Sequence, residues 1–231
     1  MKRIEPFFPL AHGVPRVDDR RVLSGIVYVI RNGFQWKDAP KAYSPHKTLY
    51  NRFIRWSRLG VFDRIFTTLT KQAGRAKRLM IDATHLKAHR TAASQLKKGL
   101  FPRHIGRTKG GLNSKLHAMC DGQGRPVCLH LTAGQVSDFK GADVLLADLP
   151  AETKEVIGDR NYDSNIIRHS LTNRKSKPPY DWHLYKKRHL IENMFAKLKD
   201  WRRVATRYDR CAHTFMSAIH IAASFIFYFK E

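Results

Sequence analysis

Tyr185, Arg188, Glu192 and Lys199 are spaced three, four and seven residues apart. On one helix, at about 100° per residue, they share a sector of about 60°. Leu190, Ile191, Met194, Leu198 and Trp201 fall on another side, so the segment predicts one packed face and one polar face. The polar face would present a carboxylate flanked by two cations and a phenol. Two aspartates extend the set. Asp82 interrupts the apolar run Leu79–Thr84, where an unpaired charge costs several kcal/mol unless compensated. Asp159 ends the run Glu155–Asp159, at a strand terminus where the active-site residues of open sheets gather. Three hard oxygen ligands converging on one sheet edge suit Mg²⁺, with Mn²⁺ as its expected substitute. Two such ions about 3.5–4 Å apart stabilise both the attacking and the leaving oxygen of a phosphodiester. Arg188 and Lys199 would then hold a phosphate or offset transition-state charge. Each residue alone has a plainer reading: Asp82 paired with Lys87 or Arg90, Asp159 opening a turn, Glu192 in an exposed ion pair with Arg188.

The elements that must position these groups are legible in outline. Leu79–Thr84 and Glu155–Asp159 read as short strands. Leu116–Cys120 and Val127–Leu131 flank Asp121-Gly122, a strong hairpin signal. Ser137–Leu149 reads as a helix, and Asp163-Ser164 as the cap of another through Leu171. The order is strand, hairpin, helix, strand, helix, then the helix of Glu192. It is that of a ribonuclease H-like fold, a mixed α/β sheet covered by helices, and such an analogy carries no function by itself.

Upstream, the pattern is helical. Val22, Leu23, Ile26, Val27 and Ile30 follow a capping Asp18 or Asp19, and Asn32-Gly33 ends that helix. Ser44-Pro45 predicts a second helix with serine as its cap and proline first in the helix. Phe62, Ile65, Phe66 and Leu69 mark a third. Three short amphipathic helices with a basic middle element suit a helix-turn-helix-like DNA reader, with His46, Lys47, Tyr50, Asn51, Arg52 and Arg55 as candidate contacts. The plainer reading is a bundle whose basic residues are solvated. Lys71–Lys77 reads as a linker, dividing a helical DNA-binding domain (1–74) from an α/β catalytic domain (75–231).

Charge agrees independently. Forty-three Lys and Arg against nineteen Asp and Glu give +24, shared equally between residues 1–78 and 79–231. Such a charge favours a polyanion and makes its binding salt-dependent. No basic amphipathic helix or polybasic block points to a membrane surface. Three cysteines without a CxxC argue against a disulfide framework and fit a reducing cytoplasm. The first residues lack the apolar core of a signal peptide. The apolar stretch Thr214–Phe229 is short for a membrane span and contains His220, so a buried helix is expected. His117, Cys120, Cys128 and His130 flank the hairpin, but His117 and Cys120 should face opposite sides of a strand, against a zinc site.

The Tyr185, Arg188, Glu192, Lys199 string resembles the signature of DDE transposases of insertion sequences, the group typified by insertion sequence five. The resemblance spans nearly the whole chain. It includes Asp19–Ile26, Tyr50-Asn51-Arg52-Phe53 with Arg55-Trp56, Met80–Thr84, Gly106–Leu112, Leu131–Gln135, Gly158-Asp159-Arg160 and Asp200-Trp201-Arg202-Arg203. It implies Asp82, Asp159 and Glu192 as metal ligands, with Tyr185, Arg188 and Lys199 completing the catalytic set. Arg202 and Arg203 join the expected DNA contacts. The implied reaction is hydrolysis at the ends of a mobile element, then attack of the freed 3′-hydroxyl on target DNA. The implied partners are double-stranded terminal inverted repeats, target DNA and a second copy of the chain, in the cytoplasm and on the nucleoid when bound.

Two departures from the resembling pattern are visible. Members usually carry a longer segment, with an apolar strand, between the second aspartate and the glutamate. Here 33 residues separate them, and Thr172–Pro179 is entirely polar or proline. Asn161 also stands where glycine is usual, although asparagine tolerates left-handed backbone. A misplacement of Glu192 by about 1 Å costs about 10²-fold in rate. The alternative expectation is therefore an inactive remnant that binds DNA, as a repressor would, without cutting it.

Overall fold

A computed structural model describes residues 3–9, 18–74, 76–94, 102–147, 149, 153, 155–158 and 188–229. In chain order its main elements are α1 (Asp19–Asn32), α2 (His46–Arg58), α3 (Val61–Gln72), β1 (Arg78–Ala88) and α4 (Arg90–Ala93). Then come β2 (Gly106–Thr108), β3 (Gly111–Asp121), β4 (Pro126–Ala133), α5 (Asp138–Ala147) and β5 (Glu155–Ile157). The chain ends with α6 (His189–Lys199), α7 (Arg202–Ala205), β6 (Thr206–Arg207) and α8 (Ala212–Phe227). They fall into two compact units. One comprises residues 1–72, 89–102 and 198–231, the other 73–88 and 103–197.

The first unit is helical. Asp18 caps α1 by accepting from the Arg20 N–H, and Gly33 ends it in left-handed conformation (φ 77°). The second helix departs from expectation. Pro45, not Ser44, is the cap residue of α2, and no side chain caps it. Ser44 is instead buried, with its hydroxyl unpartnered among the described residues. Leu49, Phe53 and Trp56 of α2 are at most 1% exposed, each worth about 1.5–3 kcal/mol of burial. The apolar C-terminal segment forms α8, packed on α3, α2 and α1, so the two ends of the chain build one core. His220 of α8 stacks on Phe66, ring centroids 5.0 Å apart. Among the described residues no helix is long and apolar enough to cross a membrane.

The second unit is built on a mixed sheet. β1 lies between β3, antiparallel, and β5, parallel. β2 and β4 share the far edge of β3, β2 at residues 111–113 and β4 at residues 114–120. The β3–β4 turn is held by Asp121, whose carboxylate accepts from the Gln123 and Arg125 N–H groups and pairs with the Arg125 guanidinium at 2.7 Å. Leu79 and Ile81 of β1 and Met119 of β3 pack under Ala142, Leu145 and Leu146 of α5. The helix expected over Ser137–Leu149 is thus present in slightly shorter form. The expected helix ending at Leu171 and the polar segment 172–179 lie outside the described residues.

Candidate active site and nucleic-acid interface

Asp82 sits near the middle of β1, opposite Ala118 of β3. Cross-strand partners share a face, so its side chain lies on the side of Leu116, Ala118 and Cys120, away from α5. A hydrogen bond and an ion pair help to compensate its charge. The Ala83 N–H donates to Oδ1 at 2.8 Å, and Arg188 Nη2 lies 3.8 Å from Oδ2. The same Nη2 donates to Glu192 Oε1 at 3.1 Å. One guanidinium therefore stands between two carboxylates that are 110 residues apart in sequence. The suggested pairing of Asp82 with Lys87 or Arg90 is replaced by this long-range one.

The helix carrying Glu192 is shorter than its spacing predicts. It begins at His189, and Arg188 is a turn residue just before it, its carbonyl accepting from the Ile191 N–H. The packed side is as expected, with Ile191, Met194 and Leu198 at most 1% exposed, whereas the Glu192 side chain is 56% exposed. Lys199 closes α6, half-buried, and burial holds its ammonium below the usual lysine range. Asp159 and Tyr185 lie outside the described residues. β5, which leads to Asp159, runs parallel to β1 with Ile157 opposite Met80.

A divalent cation fits the donor set that is present. Asp82 and Glu192 offer hard carboxylate oxygens, and a monovalent guanidinium already bridges the gap between them. Among the described residues no three His, Cys, Asp or Glu side chains are grouped to hold a metal. Cys120 shares the Asp82 face, but burial, with Asp121 and Asp82 adding, pushes its thiol up to about 12. The free thiol is therefore protonated at neutral pH.

The expected DNA contacts divide. His46, Lys47, Tyr50, Asn51 and Arg55 form an exposed stripe along α2. Arg52 is half-buried, pairs with Asp19 at 3.2 Å and lies 5.8 Å from the Trp56 ring centroid. Arg202 is exposed. Arg203 is a correction. It is 6% exposed, donates to the Phe34 carbonyl, pairs with Asp209 at 3.4 Å and lies near the rings of Trp36 and Tyr208. Enclosed in this way it has no surface for a phosphate and works as a structural residue.

Two further polar features lie away from the candidate site. Arg207 is fully buried, donates to the Asp209 and Arg210 carbonyls, and is lowered to about 10 by burial. On the α5 side of β3, Lys115 donates to Asp138 at 2.9 Å, and His117 Nε2 lies 2.8 Å from the Thr132 hydroxyl. The polar alternation Asn113, Lys115, His117 was the signal for this layer.

A mixed sheet with an aspartate on its central strand, met by a helix bearing a glutamate and a cation, is the ribonuclease H-like arrangement. Comparison with known proteins gives the class a family. Residues 1–66 match the family described as "Putative transposase of IS4/5 family", and residues 74–226 match the transposase DDE domain. The chain is 35% identical over 128 residues to the "Putative transposase for insertion sequence element IS6501" of Brucella ovis, covering 50% of this chain and 98% of that protein. It is 33% identical over 91 residues to uncharacterized protein y4sN of Sinorhizobium fredii, covering 38% of this chain and 72% of that one. No solved structure matches. The chain belongs to the DDE transposases of insertion sequences, enzymes that act on DNA and depend on divalent metal.

Proposed function

We propose that the chain binds the terminal inverted repeats of an insertion sequence and catalyses metal-dependent cleavage and 3′-hydroxyl strand transfer. The observation that supports this best is Arg188 poised between Asp82 and Glu192, at 3.8 and 3.1 Å. Asp82, Glu192 and Asp159 are the residues that would hold Mg²⁺, or Mn²⁺ in its place. Asp82 follows Met80 by two residues, just as Asp159 follows Ile157, and those two are register partners in parallel strands. The bound ion supplies Lewis-acid stabilisation of phosphodiester oxygens. The chain's own groups do the rest. Arg188, drawn off the carboxylates by a phosphate, holds that phosphate in place, and Lys199 and Tyr185 orient it. Residues 1–74 would read the repeat through the α2 stripe, residues 75–231 would carry the chemistry, and two ends would require at least a dimer.

The second reading is the DNA-binding remnant, favoured by the 33-residue spacing from Asp159 to Glu192. One experiment separates them. Labelled DNA carrying the element's terminal repeats is incubated with the protein and Mg²⁺ or Mn²⁺, beside Asp82→Asn and Asp159→Asn. Nicking at the repeat boundary, lost in both variants while binding persists, is the expected result. Binding without nicking by the parent chain selects the remnant. Nicking that survives in either variant removes that aspartate from the site.

A further inference from the structure

We infer that the β2–β3 hairpin is a second DNA-binding element, a rigid cationic finger that grips the phosphodiester backbone independently of the α2 stripe. The inference rests on the transposase reading. The strings Gly106–Leu112 and Leu131–Gln135, separate in sequence, meet in the fold and explain each other.

The tip is Arg107-Thr108-Lys109-Gly110-Gly111. Arg107, Lys109 and both glycines are exposed, and no described residue bonds to or pairs with either cation. Exposed cations at a hairpin tip are usually flexible and solvated. This tip is instead pinned from within. The Thr108 hydroxyl receives the Gly110 N–H at 3.2 Å and the Asn113 side-chain amide at 2.6 Å, and Asn113 also donates to the Gly111 carbonyl at 3.0 Å. Asn113 is itself 6% exposed, so the anchor is buried and the load it carries is outside.

The base is pinned as well. Gly134 N–H donates to the Asn113 carbonyl at 3.1 Å. A Cβ on Gly134 would lie 2.8 Å from that same backbone oxygen, so only glycine allows the approach. The loop carrying Gly134 is tied to two strands. His85 Nε2 lies 3.0 Å from the Gly134 carbonyl, and Lys115 donates to the Val136 carbonyl at 2.7 Å. A small surface hairpin needs none of this to be soluble. Two cations and a bare glycine backbone on a pre-ordered mount lose little freedom on binding, as a phosphate contact demands. Gly111 is seven residues along β3 from Ala118, the partner of Asp82, which places the tip within roughly 24 Å of the cleavage site, about seven phosphates along one strand.

The test is the salt dependence of duplex binding, read as the slope of log affinity against log salt. The full chain is compared with Arg107→Ala/Lys109→Ala and with Lys77→Ala/Lys140→Ala, which removes the same charge from exposed sites elsewhere. Each lost phosphate contact lowers the slope by about 0.9. The hairpin variant is expected to lower it by about 1.8 and the control to leave it unchanged. Thr108→Val, keeping both cations, should weaken binding without changing net charge. Repeat-end DNA and unrelated duplex serve as two arms. A change on both marks a contact to any duplex, target DNA included, and a change on repeat ends alone marks a terminal contact. An unchanged slope in the hairpin variant, or an equal fall in the control, overturns the proposal. A parent chain that binds neither DNA overturns the transposase reading itself.

Discussion

Arg188 is the residue on which the candidate site turns. It satisfies Asp82, half-buried on its strand, and reaches Glu192, whose exposure keeps that second contact to about 0.3–0.5 kcal/mol. On the proposed reading, an ion held by Asp82 and Glu192 would displace it from between the carboxylates, so its guanidinium would compete with the metal. Removing it should strengthen metal binding while weakening phosphate holding. Arg188→Ala is therefore expected to show a larger rise in Tm on adding Mn²⁺ than the parent chain, and slower nicking. Ligand at 100 times Kd contributes about 2.7 kcal/mol, or several degrees for a chain of this size. An equal or smaller rise would mean that Arg188 does not occupy the ion's place. The neighbouring arginines at 202 and 203 make a second contrast. Arg203→Ala leaves the mostly buried Asp209 carboxylate without its cation and should cost about 3 kcal/mol. Arg202→Ala should leave Tm within a degree or two and weaken DNA binding instead. Thermal melts and binding isotherms of the two proteins distinguish these roles.

At the scale of elements, the junction of α1 with α7 is a tight joint. Gly33 ends α1 at φ 77°, and a Cβ there would lie 2.7 Å from Cβ of Arg202. Gly33→Ala incurs about 1–2 kcal/mol for left-handed backbone, plus the displacement of α7. A fall in Tm of several degrees is expected, and a melt unchanged from the parent would refute this account of the joint. The same elements show how far local pattern could be read. The α2 stripe, the β3–β4 hairpin and the buried face of α6 follow from periodicities of 3.6 and 2, which burial enforces. The cap of α2 does not, because Ser44 points into the core rather than at a helix N–H. Nor does the start of α6, where four polar residues at helical spacing suggested a helix through Arg188 although Arg188 is itself a turn residue.

For the whole molecule, each compact unit contains a buried neutral histidine. His117 in the sheet unit is lowered to about 4 by burial, with His130, Lys115 and His85 adding and Asp138 opposing. His220 in the helical unit is lowered to about 4 by burial, against Asp63 at 3.7 Å. A histidine that is neutral when folded and titrates near 6.5 when unfolded leaves the unfolded chain with more bound protons between those values. Stability therefore rises with pH through that window, is complete above about 6.5 and is lost as pH falls towards 4. Tm measured from pH 7.5 to 4.5 should fall, and His220→Phe, which keeps a ring against Phe66, should flatten the fall. A Tm independent of pH below 6.5 would contradict both assignments. The +24 charge acts at this scale too. It makes every DNA affinity a function of salt, so no affinity has meaning without the ionic strength.

Which groups are available and which faces are packed is legible along the chain. Residue type and period suffice for that: Asp82 in an apolar run, Glu192 opposite Ile191, Met194 and Leu198, the basic stripe of α2, and a mixed α/β pattern after a helical third. Membership of the DDE family also lay in those strings. Which of those groups meet was settled by the fold. Arg188 reaches Asp82 across 106 residues, the Gly106–Leu112 and Leu131–Gln135 strings form one mounted hairpin, and α8 completes the core begun by α1. It also decided that Arg202 faces solvent while Arg203, its neighbour, does not. Periodicity records how a residue faces its own element. Which distant surface that face then meets is set by chain closure and packing, and no local pattern encodes it.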